Sequence, residues 1–363
     1  MIIYVMVMLE TEKIFFTDLN LPGIETLVRE LGEKDFRAKQ LSRWVYQALV
    51  SDFEEMTDLP RSFRNSLSSR LLLHCLNPVH HEIGHDGTVK VLFSLRDNQT
   101  IESVLMPHTT NKKNKHATLC ISTQVGCPIG CPFCATGQQG LIRNLSQGEI
   151  VDQVLFLARW ARENHKDVRV TNIVFMGMGE PLLNYENLIK AIQILNSPDC
   201  FGLGARNMTI STSGIIPGIK NLMDSKIQVN LAISLHAGNN RLRNKLVPIN
   251  KKYPLEELIF TCHQYVLKTS RRITFEYILF EGINDTMKHA DEVAGLLNNL
   301  LCHVNLIPAN NTGSSIYLPP RKDVLISFAE RLKSYHIPCT IRKSRGTDIN
   351  AGCGQLRRKL LNN

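Results

Sequence analysis

The chain reads as an α/β protein, a partial (β/α)6 barrel with a small N-terminal helical/β accessory domain. Three observations predict this. From Thr118 onward, short apolar runs alternate with amphipathic stretches of helical period, the pattern of βα units on a parallel sheet. The residues before it lack that alternation and read as helices followed by a β pair. The strand candidates number six, too few to close an eight-stranded barrel.

Residues 1–95 form the accessory unit, and 96–363 the core. In the first unit Ile24, Leu27, Val28 and Leu31 recur at helical spacing, and Phe36 to Tyr46 continues as an amphipathic helix. Asp58-Leu59-Pro60 introduces a third helix through Phe63 to Leu73. Thr88 to Phe93 alternates like a strand, and Ile101 to Pro107 like its partner. Core strands are expected at Thr118–Thr123, Asn172–Met176, Asn207–Ser211, Gln228–Ser234, Ile273–Phe280 and His303–Ile307, with a last one near Ile337–Arg342. The first core helix shows its start in the sequence: Ser146-Gln147-Gly148-Glu149 is a capping box, and Ile150, Val154, Leu157, Ala158 and Ala161 form one apolar stripe. Active groups of parallel barrels lie where strands end.

With 363 residues, 43% hydrophobic and 21% charged, the composition is that of a globular enzyme and excludes disorder. No apolar run is long enough to span a bilayer. The start, Met1 to Met8, lacks a basic flank and a cleavage site, so it reads as an edge strand or a segment upstream of the true start rather than as a signal peptide. Ten cysteines without a secretory signal indicate thiol chemistry in a reducing, cytoplasmic compartment. Five of them, Cys75, Cys200, Cys262, Cys302 and Cys339, sit singly and read as small buried hydrophobes. The net charge of +9 is uneven: residues 1–100 carry 11 Lys and Arg against 14 Asp and Glu, leaving 31 against 19 for the rest. Basic groups gather at Lys112-Lys113-Lys115, Arg241-Arg243-Lys245, Lys251-Lys252, Arg271-Arg272, Arg342-Lys343-Arg345 and Arg357-Arg358-Lys359, a surface that attracts a polyanion or is simply solvated. With no heptad or exposed apolar repeat, a monomer is the default.

Cys127, Cys131 and Cys134 carry the most specific signal. Their CxxxCxxC spacing holds three irons of a cluster and leaves the fourth open. The loop resembles that of the radical SAM superfamily, which implies a 4Fe–4S cluster whose open iron takes the amino and carboxylate groups of S-adenosylmethionine. A structural zinc knuckle completed by His116 or Cys120 is the alternative. Polar groups recur at successive strand ends: Gly177-Met178-Gly179-Glu180, Ser211-Thr212-Ser213, Ser234-Leu235-His236 and Pro308-Ala309-Asn310. Together they suggest a cofactor pocket, with Gly179, Glu180, Ser211, Ser234, Leu235, His236 and Asn310 as its candidate residues. Cys353, between Gly352 and Gly354, is placed for an exposed, mobile thiol, and Cys120 can point into the same cavity; two such thiols invite a transient disulfide.

The chain as a whole resembles the dual-specificity radical SAM RNA methyltransferases, which methylate C2 of adenine in 23S ribosomal RNA and in transfer RNA. The matching runs include Phe36-Arg37-Ala38-Lys39-Gln40, Glu102-Ser103-Val104, Gln124-Val125-Gly126-Cys127, Arg143-Asn144-Leu145, Gly177 to Leu182 and Cys353-Gly354-Gln355-Leu356. Gly352 stands where the family usually has Ala. The resemblance implies that Cys353 is methylated by one S-adenosylmethionine, and that a second, cleaved reductively with electrons from an external donor, activates that methyl for addition to C2. It also implies that Glu102 removes the C2 proton and that Cys120 attacks the Cys353 sulfur to release product. RNA recognition by the N-terminal unit is a further expectation. Three readings stay open beside it: a C8-adenine methyltransferase with the same catalytic positions, another kind of radical SAM enzyme, and a non-catalytic RNA-binding zinc protein.

Overall fold

The computed structural model describes residues 13–111, 114–165, 168–310 and 316–357. The start Met1 to Met8 and the basic residues Lys112, Lys113, Arg358 and Lys359 lie outside the described residues. The first elements are β1 (Ile14–Phe15), α1 (Leu21–Glu30), α2 (Phe36–Ser42), α3 (Arg61–Arg70) and β2 (Leu71–Leu72). The Asn20 side chain caps α1 by accepting the Gly23 N–H, and Ile24, Leu27 and Val28 turn inward as their spacing predicts. Helix α2 passes into a wider turn over Arg43–Gln47. Helix α3 stops short of the predicted Leu73 because Leu71 and Leu72 become extended and pair with Ile14 and Phe15.

One ten-stranded sheet forms the core. Strands β3 (Asn77–Ile83), β4 (Val89–Ser94), β5 (Thr100–Asn111) and β6 (Asn114–Cys120) are antiparallel neighbours. The short hairpin β7 (Gln124–Gly126) and β8 (Leu141–Asn144) stands apart. The sheet continues in parallel from β6 through β9 (Arg169–Phe175), β10 (Met208–Thr212), β11 (Asn230–Ser234), β12 (Ile273–Leu279), β13 (Cys302–Pro308) and β14 (Cys339–Ile341). Every predicted core strand is present within a few residues, and β14 is the expected last one. Strand β4 is hydrogen-bonded to β5, with Leu92 opposite Glu102, so the sheet runs unbroken across residue 95.

The crossovers carry α4 (Ala135–Gln138), α5 (Gln147–Asn164), α6 (Tyr185–Asn196), α7 (Ile216–Asp224), α8 (Asn240–Leu246), α9 (Leu255–Thr269), α10 (Met287–Leu297) and α11 (Lys322–Ser334). The Ser146–Glu149 capping box is formed, and the predicted stripe of α5 is buried. Among the described residues no helix is long and apolar enough to cross a membrane. The barrel's inner wall is polar at its N-terminal end, where Asn172, Thr209, Asn230, Thr274 and Asn305 line one cavity. Alternate positions along β10 are therefore half-buried against polar space, while the intervening ones pack under helices.

A polar clasp fastens the N-terminal helical unit to helix α5. Asp152 on α5 accepts the N–H groups of Cys75 (2.8 Å) and Leu76 (3.0 Å) and a bond from His74 Nδ1 (2.6 Å). Arg159 donates to the Leu49 and Val50 carbonyls and to His74 Nε2, which leaves Nδ1 as the proton donor to Asp152. Because Asp152 is buried, Asp152→Ala leaves several donors without an acceptor and should cost about 3 kcal/mol of unfolding free energy by denaturant titration. Exposed Glu163→Ala on the same helix should stay within about 0.5 kcal/mol.

Candidate active site at the strand ends

The three cysteines sit on the loop between β7 and β8. Gly126 turns the chain into it with φ +80°, and a Cβ there would stand 1.8 Å from the Gly140 carbonyl oxygen. The Cys127 N–H donates to that same carbonyl at 2.9 Å, and the Cys134 N–H to Cys131 O at 3.1 Å. The loop is thus folded by its own backbone, with three thiols facing one cavity also lined by Gly177, Gly179, Glu180, Ser211, Ser213, Ser234, His236 and Glu276. Burial pushes the Cys127 thiol up to about 12 and the Cys131 and Cys134 thiols up as well, and neighbouring thiols act on each in the same direction. Three half-buried sulfurs around one opening fit a cluster bound by one thiolate per iron. No three His, Cys, Asp or Glu side chains among the described residues converge on a single-ion point. Of the candidate fourth zinc ligands, Cys120 lines a different cavity, and His116 stacks on His108 at 5.1 Å.

The rim is built from the strand ends. Gly179 has φ +107°, and a Cβ would meet Gln124 at 2.6 Å, so its conformation and a close approach both require glycine. Glu180 is buried and accepts the Ser213 N–H and hydroxyl (both 2.7 Å) and the Leu182 N–H (3.1 Å), so it ties the β9 loop to the β10 loop. Burial raises its carboxyl above the usual range, opposed by these hydrogen bonds. His236, at φ +57°, accepts the Ile278 N–H at Nδ1 (3.1 Å), and burial lowers its imidazole to about 3. It is therefore neutral, with its proton on Nε2. Leu235 does not line the cavity; its buried side chain packs inward while its carbonyl accepts from Arg243. Asn310 instead grips the turn that carries Cys353, donating to the Cys353 carbonyl at 3.1 Å.

Cys353 lies in a docked turn rather than the mobile loop expected from its flanking glycines. Gly354 O accepts the Ala135 N–H at 2.8 Å, Leu356 O accepts the Thr136 hydroxyl at 2.5 Å, and Gln355 Oε1 accepts the Gly352 N–H at 2.9 Å. Cys353 belongs to the walls of two cavities, one ringed by the three loop cysteines and the other containing Cys120, Met106 and His108. Burial, followed by the nearby Cys353 thiol, pushes Cys120 up to about 12. Glu102 lines neither cavity: it is 1% exposed beneath the turn, where it accepts the Arg357 N–H at 2.9 Å and lies 3.5 Å from Lys90 Nζ.

Several charged neighbours of the cavities carry no such signal in the sequence. Arg342, grouped with the basic exterior, lines both thiol cavities, and the Cys353 thiol beside it raises its guanidinium pKa against the effect of burial. Arg243, also assigned to the surface, is 0% exposed and donates to the carbonyls of Ser213, Ser234 and Leu235 and to Asn250. Its spacing within a basic run carried no sign of this. Glu276, a lone charge in the apolar run of β12, did carry one; it accepts from Asn305 and faces the cavity of the three loop cysteines.

Two family models match: the ribosomal RNA large subunit methyltransferase N-terminal domain over residues 15–73 and the radical SAM superfamily over residues 121–293. A probable dual-specificity RNA methyltransferase RlmN from Desulfitobacterium hafniense is 48% identical over 344 residues, covering 94% of this chain and 96% of the relative. The protein of the same name from Bacillus subtilis is 44% identical over 351 residues, covering 97% and 95%. A crystal structure of a radical SAM methyltransferase from Sphaerobacter thermophilus superposes with a TM-score of 0.90 at 46% identity, covering 95% of this chain and 99% of that one.

The state of His236 predicts a pH dependence. Its pKa is depressed on folding from the ordinary value near 6.5, so the unfolded chain takes up a proton that the fold refuses, and stability is lost as pH falls below about 6.5 toward 3. From pH 6.5 to 5 this group should remove ~2 kcal/mol from the unfolding free energy. In His236→Gln, whose amide oxygen can still accept the Ile278 N–H, that part of the slope should vanish in denaturant titrations at several pH values.

Proposed function

The chain belongs to the RlmN family of dual-specificity radical SAM RNA methyltransferases, and we propose that it methylates C2 of adenine in 23S ribosomal RNA and in transfer RNA. It is an S-adenosylmethionine-dependent RNA methyltransferase of the radical type. The C2 reading rests on the RlmN relatives, and the observation that carries the two-thiol mechanism is the place of Cys353 in the wall common to two cavities, one for the cofactors and one holding Cys120.

Cys127, Cys131 and Cys134 would hold a 4Fe–4S cluster, and the rim of Gly179, Glu180, Ser211, Ser234 and His236 would hold S-adenosylmethionine; together, fed by an external electron donor, they supply a 5′-deoxyadenosyl radical. His236 offers its Nε2–H to the ligand because Nδ1 is taken by the backbone. Asn310 and Leu235 act on this pocket indirectly, Asn310 by orienting the Cys353 carbonyl and Leu235 through the Arg243 network. Two S-adenosylmethionine molecules serve each turnover, one as methyl donor and one as radical source.

On the protein, Cys353 carries the methyl carbon as S-methylcysteine and is joined through that carbon to C2. Glu102 would remove the C2 proton as the adduct gives up its unpaired electron, equal to the one the external donor supplied for cofactor cleavage; this step follows displacement of Arg357, whose N–H now occupies one oxygen of the carboxylate. Cys120 then attacks the Cys353 sulfur: an S–S bond forms, the S–C bond breaks, and the electron pair left on carbon takes a proton to complete the methyl group. External reductant returns the disulfide to two thiols. The N-terminal unit, with its ribosomal RNA methyltransferase match, is assigned to RNA presentation.

Mass spectrometry of RNA treated with anaerobically reconstituted protein, reductant and S-adenosylmethionine tests this. Wild type should yield 2-methyladenine, Cys353→Ala none, and Cys120→Ala a covalent protein–RNA adduct. Formation of 8-methyladenine, or methylation by Cys353→Ala, would overturn the C2 two-thiol reading.

A further inference from the structure

Lys90 on β4 is 5% exposed, an unusual position for an ammonium, and its partners converge on the segment that carries Cys353. Its Nζ donates to the Ile349 carbonyl at 2.6 Å and lies 3.4 Å from Glu82 and 3.5 Å from Glu102. Glu102 in turn accepts the Arg357 N–H at 2.9 Å. Ile349 and Arg357 flank Cys353 at equal distances along the chain, so one buried ion pair holds both ends of the thiol turn. The β3–β4 hairpin extends the grip: the His85 N–H donates to Asp348 at 2.9 Å, and Asp86 accepts the Gly346 N–H at 3.2 Å.

We propose that Lys90 is a positioning residue that latches the Cys353 turn to the sheet through Ile349 and Glu102. The inference rests on the proposed function for its consequence. While the turn is latched, the Glu102 oxygen that accepts from Arg357 is unavailable for C2. When the turn's end lifts, Lys90 keeps that carboxylate in place. Loop position and access to the base are thereby coupled through one carboxylate.

The test compares Lys90→Met, Lys90→Arg and wild type in the full-length, cluster-loaded protein. In Lys90→Met, amide hydrogen exchange across residues 346–357 should accelerate about tenfold or more, the size set by one charge-assisted hydrogen bond, while the amides of β9 to β13 stay protected. Turnover on RNA should fall by a similar factor, about tenfold, at unchanged KM for RNA, and Lys90→Arg should recover most of both losses. Lys90→Gln replaces Lys90→Met should the latter not fold. Wild-type exchange in 346–357 with normal turnover overturns the proposal. So does uniform acceleration over the whole sheet without recovery in Lys90→Arg, the mark of a generic core residue. If wild type itself methylates no RNA, the proposed function fails instead, while the exchange comparison still reports on the latch.

Discussion

The site depends on the docking of the C-terminal turn onto the cysteine loop. Two hydrogen bonds make that contact, from the Ala135 N–H to Gly354 O and from the Thr136 hydroxyl to Leu356 O, the second joining residues 220 positions apart. Closing a chain segment of that length costs little more entropy than closing one half as long, because the cost grows only with its logarithm. What the contact requires is a rigid platform. The hairpin of β7 and β8 supplies it, with Gly126 and Gly140 letting the two strands approach too closely for any side chain at Gly126. The thiol of Cys353 then faces the cysteine cavity by construction, and Asn310 fixes its carbonyl from β13's side.

Around that contact, buried polar groups do what apolar packing cannot. A low-dielectric site strengthens each hydrogen bond and makes each unpaired group expensive, so a network that is well satisfied specifies one arrangement. Arg243 is the centre of one such network: with no exposed surface, it ties the ends of β10 and β11 by donating to Ser213, Ser234 and Leu235. Glu180 joins the ends of β9 and β10 in the same way through Ser213. Three consecutive strand ends are thus registered by two charged side chains. The same logic underlies Asp152, which fastens the helical unit to α5, and Lys90, which fastens the C-terminal turn to the sheet.

Much of this was legible in the sequence because it rests on periodicity and spacing. The alternation after Thr118 marks the strands β6 and β9 to β13, the Ser146–Glu149 box marks the start of α5, and the CxxxCxxC run marks the loop that faces the cavity. What periodicity could not reveal is where a charged side chain ends up when its backbone lies at a strand end. Arg243 and Arg342 belong to basic runs that otherwise face water, and only the carbonyls and thiols brought near them by the fold distinguish them. Gly352 and Gly354 suggested mobility, yet Gly352 packs so tightly that a Cβ would meet the Asn310 side chain at 2.7 Å. Glu102 lies on a strand as its alternating run predicts, but its surroundings leave no mark in the sequence. Its partners, Lys90 and Arg357, lie on elements remote in sequence.

The division of the thiols between two cavities has a chemical consequence. If Cys120 were a thiolate in the resting protein, it would stand ready to react with whatever sulfur species Cys353 becomes. Burial pushes its pKa to about 12, so at neutral pH nearly all of it is the unreactive thiol. Arg342 opposes that shift and lines both cavities, while Cys353 acts on Cys120 directly in the raising direction. A thiol that ionises only when its surroundings change acts late, which suits the resolving role proposed for Cys120, because an early disulfide would remove Cys353 before it could take up the proposed methyl group.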